Sequence, residues 1–108
     1  MDPNLFKGNL ELILLSILER EEMYGIEIAK AANERTDGYF VLNVGSLYPT
    51  LHKLEQQRQV TVDSRTTARG GAPVRYYKIT AAGRKILAQK RKAYAEFHSA
   101  ITAIGGAG

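Results

Sequence analysis

Three polar side chains lie close together within residues 43–54, and their types suit contacts with nucleic acid. Ser46, Thr50 and Lys53 are separated by four and then three residues, the spacing that brings side chains onto one side of a helix. Small hydroxyls and a cation near a helix N-terminus can contact phosphates and base edges. These residues therefore predict a helix that contacts DNA.

The other residues of this stretch predict how the helix is held in place. Leu47, Leu51 and Leu54 repeat with a similar spacing along the opposite side, which would face a core. Asn43 is a favourable N-cap residue just before them. Residues 43–54 therefore predict an amphipathic recognition helix that packs through its leucines and exposes its polar side.

The charges of the chain are divided unevenly along its 108 residues. Residues 1–43 contain eight acidic and four basic side chains, whereas residues 44–108 contain three acidic and eleven basic ones. This division favours contact between the second half and a polyanion. Composition alone leaves a second explanation open, which is a basic surface that only keeps the protein in solution.

The residue types give little support for catalysis or for a bound cofactor. The chain has no cysteine, and its two histidines, His52 and His98, fall on different predicted helices. The sequence lacks a metal-ligand cluster, a phosphate-binding glycine motif and a nucleophile elbow. No stretch is apolar enough to span a membrane, and the N-terminus is unlike a signal peptide. We therefore expect a cytoplasmic protein that is not an enzyme, holds no metal or cofactor and does not enter a membrane.

Two predicted helices precede the recognition helix. Residues 5–18 are apolar around nearly the whole circumference, which indicates a first helix buried on more than one side. A tight turn at residues 23–25 leads to a second helix over residues 26–35. Residues 39–42 are apolar and prone to β-structure, and the sequence leaves open whether they form a brief strand or a packed linker.

A hairpin and a long helix are predicted to follow. Residues 60–65 and 74–79 alternate apolar and polar side chains, which predicts two strands joined by a flexible tip. Arg65, Arg69 and Arg75 could follow a phosphate backbone or enter a minor groove, although a solvated loop would have a similar composition. Thr80 is a predicted N-cap for a last helix over residues 81–104.

The last helix carries a heptad pattern. One row contains Leu87, Tyr94 and Ile101, and a second row contains Lys90, Phe97 and Ile104. Such rows form the seam of a coiled coil, so we predict that this helix pairs with a second copy of the chain against the first helix. Packing within one chain is the alternative. Residues 1–80 would then form the DNA-binding domain, and residues 81–108 the dimerisation helix with a glycine-containing, disordered tail.

Four motifs in this order resemble the PadR family of bacterial transcriptional regulators. They are Leu12–Leu18, Met23–Ile28, Gly45–Leu51 with the following Lys53–Glu55, and Arg75–Gly83. The resemblance implies a mostly α fold with a small β hairpin, namely a winged helix-turn-helix followed by a long C-terminal dimerisation helix. The single short C-terminal helix is similar to the compact branch of that family, whose members are dimeric repressors.

Residue by residue, the resemblance implies which side chains lie near DNA. In the recognition helix these are Ser46, Tyr48, Pro49, Thr50 and Lys53, and the hairpin arginines would contact the phosphate backbone. Two interpretations of Tyr48 remain open, because its ring could pack on the core with only the hydroxyl reaching a phosphate. Pro49 cannot donate a backbone hydrogen bond, which predicts a locally irregular first turn.

Some members of the family bind planar aromatic or multidrug-type effectors between their subunits. The resemblance places such a pocket, or the dimer interface, at Tyr94, Phe97, His98 and Ile101 of the last helix and at Leu12 and Leu15 of the first. A packed dimer core without a ligand explains the same residue types. We expect His98 to be an interface residue and not a metal ligand.

The chain departs from the family pattern directly after the recognition helix. The family usually has glycine and then an apolar residue there, whereas this chain has Arg58 and Gln59. An arginine in the left-handed conformation would cost on the order of 1 kcal/mol relative to glycine. The cation at this junction could instead contact DNA.

The sequence as a whole predicts a homodimeric, sequence-specific repressor that is relieved by a small aromatic or multidrug-type effector. Its two recognition helices would enter successive major grooves of a pseudo-palindromic operator in double-stranded DNA, roughly 34 Å apart. The alternative is a winged-helix module that binds DNA without sequence preference, or binds protein, and has no effector.

Overall fold

The computed structural model describes residues 1–66, 68 and 70–106. Within them the chain forms α1 (Pro3–Gly8), α2 (Leu10–Leu18), β1 (Met23–Tyr24), α3 (Gly25–Glu34), α4 (Val44–Gln56), β2 (Val60–Arg65), β3 (Val74–Ile79) and α5 (Ala81–Ile104). The strands form one antiparallel sheet in the order β1-β3-β2. The prediction of a mostly helical fold with a small β hairpin is confirmed. None of the described helices is both long and apolar enough to cross a bilayer.

The N-terminal region differs from the prediction of one helix over residues 5–18. The chain leaves the helical conformation at Asn9, whose ψ is 13°, so that α1 and α2 are separate helices. Asp2 caps α1 by accepting hydrogen bonds from the backbone N–H groups of Asn4 and Leu5. Gly8 has low helix propensity, and the Asn9 amide donates to the Leu5 carbonyl at 2.8 Å, so both residues favour ending α1.

A short strand replaces the tight turn predicted at residues 23–25. Met23 pairs with Tyr77 and Tyr24 pairs with Tyr76, which adds β1 to the free edge of β3. Two residues are too few to show the alternation that predicts a strand, and β1 forms because the long hairpin offers it an edge. The second predicted helix is confirmed as α3, which begins at Gly25 directly after β1.

The core forms around α2, which packs against the other four helices and against β3. Leu14, Leu15 and Leu18 are almost completely buried. The three leucines of α4 at positions 47, 51 and 54 also face the core, as predicted. Residues 39–42 form a packed linker and not a strand, since Phe40 and Leu42 lie against the core without joining the sheet.

The predicted recognition helix, α4, extends through its proline. Asn43 is the predicted N-cap, and its Oδ1 accepts a hydrogen bond from the Ser46 backbone N–H at 3.0 Å. Pro49 cannot donate to the carbonyl four residues earlier, yet the helix continues to Gln56. At the next residue the Thr50 hydroxyl donates to the Ser46 carbonyl at 2.8 Å and so adds a bond to this part of the helix.

The junction between α4 and β2 contains a left-handed arginine. Arg58 has φ of +60°, and its N–H donates to the Glu55 carbonyl at 2.9 Å. The next N–H, of Gln59, donates to the Leu54 carbonyl, also at 2.9 Å. These two bonds form a Schellman motif, in which glycine usually occupies the position of Arg58. The departure from the family pattern therefore leaves the geometry of the helix end intact and places a strained residue in it.

Replacing this arginine should stabilise the protein. Arg58→Gly removes the left-handed strain, which we expect to raise the free energy of unfolding by roughly 0.5–1 kcal/mol after allowing for the greater freedom of glycine in the unfolded chain. Urea unfolding at a fixed protein concentration measures the change. Arg58→Ala is the matched control, because it also removes the charge but keeps a Cβ. Equal stability of the two variants would show that strain is not the cause.

The helix α5 begins inside the domain and then leaves it. Thr80 is the predicted N-cap, with its Oγ1 accepting from the Gly83 N–H at 2.9 Å, and Leu87 is fully buried. From residue 91 onward every described residue is exposed. The predicted heptad rows are therefore split, because Leu87 packs within its own chain while the later apolar members project outward.

Candidate nucleic-acid interface

The polar side of α4 presents the three predicted residues to different degrees. Ser46 and Thr50 are half-buried, and the Lys53 side chain is 57% exposed. The Thr50 hydroxyl already donates to a backbone carbonyl, so it can only accept a further hydrogen bond. The Ser46 hydroxyl makes no hydrogen bond within the described part of the chain and is available to a ligand. This side of α4 therefore offers a donor, an acceptor and a cation.

Tyr48 lies between the N-terminal ends of α3 and α4. Its ring covers Gly25 so closely that a methyl group placed on Gly25 would lie 2.5 Å from Tyr48 Oη. The side chain is still 42% exposed, so the ring packs against a neighbouring helix and is not part of the core. Gly25 is required for this close approach. The contact leaves one side of the ring facing solvent near Pro49, which is also exposed.

The two described hairpin arginines bind carboxylates of their own chain. Arg65 Nη1 and Nη2 lie 2.8 and 3.0 Å from the two carboxylate oxygens of Glu22, and Arg65 Nε lies 2.9 Å from Asp63. Arg75 Nη2 lies 3.0 Å from Glu55 Oε1. The third predicted arginine, Arg69, lies outside the described residues. Sequence reasoning assigned these arginines to DNA, and the structure gives Arg65 and Arg75 internal partners.

A further acidic residue joins the recognition helix to α5. Glu11 Oε1 lies 3.5 Å from Lys53 Nζ, and its Oε2 lies 3.6 Å from Lys90 Nζ. Close by, Arg91 forms an ion pair with Glu19 at 3.0 Å, and this hydrogen bond lowers the pKa of Glu19 below its ordinary value. The acidic first half of the sequence thus supplies partners for the basic second half, which sequence reasoning missed because the paired residues are far apart in the chain.

Several cations among the described residues form no ion pair shorter than 4.0 Å. Within residues 1–66, 68 and 70–106, they are Lys7, Arg20, Arg58, Lys78, Arg84, Lys85 and Lys92. Arg58 is the member of this set at the helix-to-hairpin junction, where the sequence suggested a contact with DNA. The part of the chain that the structure describes contains no group of three or more His, Cys, Asp or Glu side chains placed to hold a metal ion.

A groove of about 790 Å³ is lined by residues of α1, α2, the last turns of α3, the linker before α4 and α5. Leu12 and Tyr94 line it, as the predicted effector pocket requires. Leu15 does not line the groove, because it is fully buried in the core. The prediction that Leu15 lies at the effector pocket or the dimer interface is therefore corrected. Phe97, His98 and Ile101 lie further along α5 and are exposed.

The family model described as "Transcriptional regulator PadR-like family" matches residues 14–89, which include the second half of α2, α3, α4, the hairpin and the buried start of α5. This chain belongs to the PadR-like family. It is therefore a DNA-binding transcriptional regulator and not an enzyme, as predicted. The hairpin of β2 and β3 is its wing.

Solved structures agree with this assignment. A transcriptional regulator from Clostridium thermocellum is 26% identical, with a TM-score of 0.84 over 93% of this chain and 96% of that one. A PadR family regulator from Clostridium difficile is 27% identical, with a TM-score of 0.78 over 92% of this chain and all of that one. Escherichia coli YqjI, a transcriptional regulator, is 38% identical over 55 residues, which span 51% of this PadR-like chain and 27% of YqjI. The winged helix-turn-helix prediction is confirmed.

The contact between Gly25 and Tyr48 allows a test of the predicted DNA contact of Tyr48 in this PadR-like regulator. Gly25→Ala would force the Tyr48 ring aside, at little cost in stability because the displaced atoms are the end of a side chain. We expect DNA affinity to fall about threefold to tenfold, the effect of losing one polar contact. Fluorescence anisotropy measures the change. In a Tyr48→Ala background the same substitution should have no further effect, and an equal loss there would contradict the role of Tyr48.

Proposed function

We propose that this PadR-like regulator is a cytoplasmic homodimeric repressor that binds a pseudo-palindromic operator. The observation that carries the proposal is the apolar side of α5 beyond the domain. Tyr94, Phe97, Ile101 and Ile104 are 49%, 66%, 55% and 84% exposed, respectively. A helix with four such side chains in solvent favours burial against another molecule.

A second copy provides a matching surface for this helix. The groove beside α1 and α2 contains apolar side chains, including Leu5 and Phe6, and it is open to solvent. Leu5 is itself 52% exposed in the single chain. Placing the α5 arm of one subunit along the α1–α2 surface of the other would cover both sets of side chains. A twofold arrangement of this kind repeats the contact and closes the dimer.

The dimer would present two α4 helices to DNA. Ser46, Tyr48, Pro49, Thr50 and Lys53 are the proposed contacts in each major groove, with half-sites roughly 34 Å apart. Within this proposal residues 1–80 form the DNA-binding domain, and residues 81–108 form the dimerisation segment. The wing follows the adjacent backbone, where Arg69 and the unpaired Arg58 are the proposed cationic contacts.

The groove also supports an effector site in the dimer. Its volume of about 790 Å³ lies within the range of small-molecule pockets, and Tyr94 offers an aromatic surface for stacking. We propose that a planar aromatic compound binds there beside Leu12 and changes the separation of the two recognition helices. The competing arrangement is a groove filled completely by the partner subunit, in which case aromatic compounds leave operator binding unchanged.

An anisotropy titration against the DNA upstream of its own gene tests the proposal. We expect affinity for this DNA to exceed that for a scrambled duplex by at least about 1000-fold and to fall as salt concentration rises. Equal affinity for both duplexes would instead support a DNA-binding module without sequence preference. The internal pairing of Arg65 and Arg75 favours the repressor, since fewer free cations remain for contacts that depend on charge alone.

A further inference from the structure

The wing is held from both of its faces by carboxylates of the helical body. Cross-strand partners share a face of a sheet, and Arg65 pairs with Val74 whereas Arg75 pairs with Ser64. Because successive residues in a strand point to opposite sides, Arg65 and Arg75 lie on opposite faces of the hairpin. Each of them reaches a different acidic residue outside the wing.

On the first face, Arg65 connects the end of β2 to the segment between α2 and β1. Its guanidinium forms two parallel hydrogen bonds with Glu22, at 2.8 and 3.0 Å, and lies 4.5 Å above the centre of the Tyr76 ring. Tyr76 in turn makes an edge contact with Tyr24 of β1 at 5.4 Å. The Arg65 hydrogen bond lowers the pKa of Glu22 below its ordinary value, so this carboxylate is charged at neutral pH.

On the second face, Arg75 connects β3 to the last turns of the recognition helix. Arg75 Nη2 lies 3.0 Å from Glu55 Oε1, and its guanidinium lies 6.0 Å from the centre of the Tyr77 ring. The same Glu55 oxygen lies 3.9 Å from His52 Nδ1. Glu55 is one position before the end of α4, so this ion pair links the wing directly to the proposed recognition helix.

We propose that Glu22 and Glu55 are positioning residues that hold the wing at a defined distance from the recognition helix through Arg65 and Arg75. In this proposal the two arginines attach the wing to Glu22 and Glu55 and do not contact phosphates. The DNA measurements that test this proposal rest on the proposed operator binding. The attachment of the wing itself does not depend on it. The proposal differs from the expectation of the sequence, in which both arginines contact the phosphate backbone.

The two roles predict opposite effects of neutralising the carboxylates. If Arg65 or Arg75 contacts phosphate, Glu22→Gln or Glu55→Gln frees a cation. The affinity for DNA then rises, and the slope of log K against log salt concentration becomes steeper by about one unit. If the carboxylates position the wing, the same substitutions weaken operator binding with no change in slope. Arginine–carboxylate pairs at a surface contribute modestly, whether bidentate as for Glu22 or through one contact as for Glu55, so we expect a loss of about twofold to fivefold per substitution.

The experiment compares wild type, Glu22→Gln and Glu55→Gln by anisotropy over a salt series, together with hydroxyl-radical footprints of the operator. We expect the variants to lose protection at the wing and to keep protection under α4. Glu34→Gln is the matched control, because it removes an exposed carboxylate paired with Lys30 at 3.9 Å on α3. Exchanging the charges in Glu55→Arg/Arg75→Glu should restore the affinity and the footprint. Unchanged or increased affinity in both single variants would overturn the proposal.

A measurement without DNA separates this proposal from operator binding. In the free protein, amide hydrogen exchange in β2 and β3 should become about twofold to fivefold faster in Glu22→Gln and Glu55→Gln, with no change in α2. Faster exchange combined with equal wild-type affinity for operator and scrambled DNA would contradict the repressor and leave the wing attachment supported. Unchanged exchange would overturn the attachment even if the operator is bound.

Discussion

Phe97→Ser combined with Ile101→Ser is expected to produce a monomer that binds the operator at least about 100-fold more weakly than wild type. The two side chains are 66% and 55% exposed in the single chain, so the fold of one subunit does not depend on them. In the proposed dimer they are buried against the α1–α2 surface of the partner. Loss of the dimer removes the second recognition helix and with it the gain from binding two linked half-sites.

Two measurements and one control define this result. Sedimentation velocity at micromolar concentration reports the oligomeric state, and anisotropy reports operator affinity. Val41→Ser is the matched control, since Val41 is an apolar residue that is 61% exposed and does not line the groove. A double variant that remains dimeric, or a monomer with wild-type operator affinity, would contradict the proposed assembly.

Gly83→Ala is expected to lower the free energy of unfolding by about 2–4 kcal/mol, the range of substitutions that overpack a core or strain its backbone. Gly83 lies in the first turn of α5, where its Cα faces the Gln59 carbonyl. A Cβ at this position would overlap the Gln59 carbonyl oxygen and lie 2.8 Å from Ile79 Cγ1. That carbonyl also accepts hydrogen bonds from the Thr80 N–H at 3.0 Å and the Thr80 hydroxyl at 3.1 Å. The backbone must therefore shift, and the N-cap of α5 shifts with it.

Thermal unfolding at matched protein concentration tests this prediction. The expected loss corresponds to a decrease in Tm of roughly 10 °C or more for a domain of this size. Gly8→Ala is the control, because Gly8 is also helical but has no neighbouring atom within 4 Å of the added carbon. We expect the control to be neutral or stabilised by up to about 1 kcal/mol. Equal changes in the two variants would mean that α5 tolerates a side chain against the junction.

Much of the fold follows from local signals in the sequence. The alternation of β2 and β3 and the N-cap at Thr80 predicted the bounds of both strands and of α5 as the structure has them. The N-cap at Asn43 and the three leucine positions likewise predicted α4. These signals succeed because period and capping depend on residues that are neighbours in the chain.

The failures arise where local signals were absent or misleading. The apolar residues of positions 5–18 continue past Asn9 without a change of pattern, so the break between α1 and α2 was missed. The two residues of β1 have no period of their own and become a strand only beside β3. Leu15 carries the same apolar character as Leu12, and only the packing of α2 decides that Leu15 is buried while Leu12 reaches the groove.

The sequence by itself determined the family, the amphipathic helix α4 and the excess of cations in its second half. Only the tertiary structure decided which of those cations are paired. Glu22 and Arg65 are 43 residues apart, and Glu19 and Arg91 are 72 apart, so no local pattern links them. An ion pair forms when folding brings two side chains within a few ångströms, and that distance depends on the packing of the whole chain.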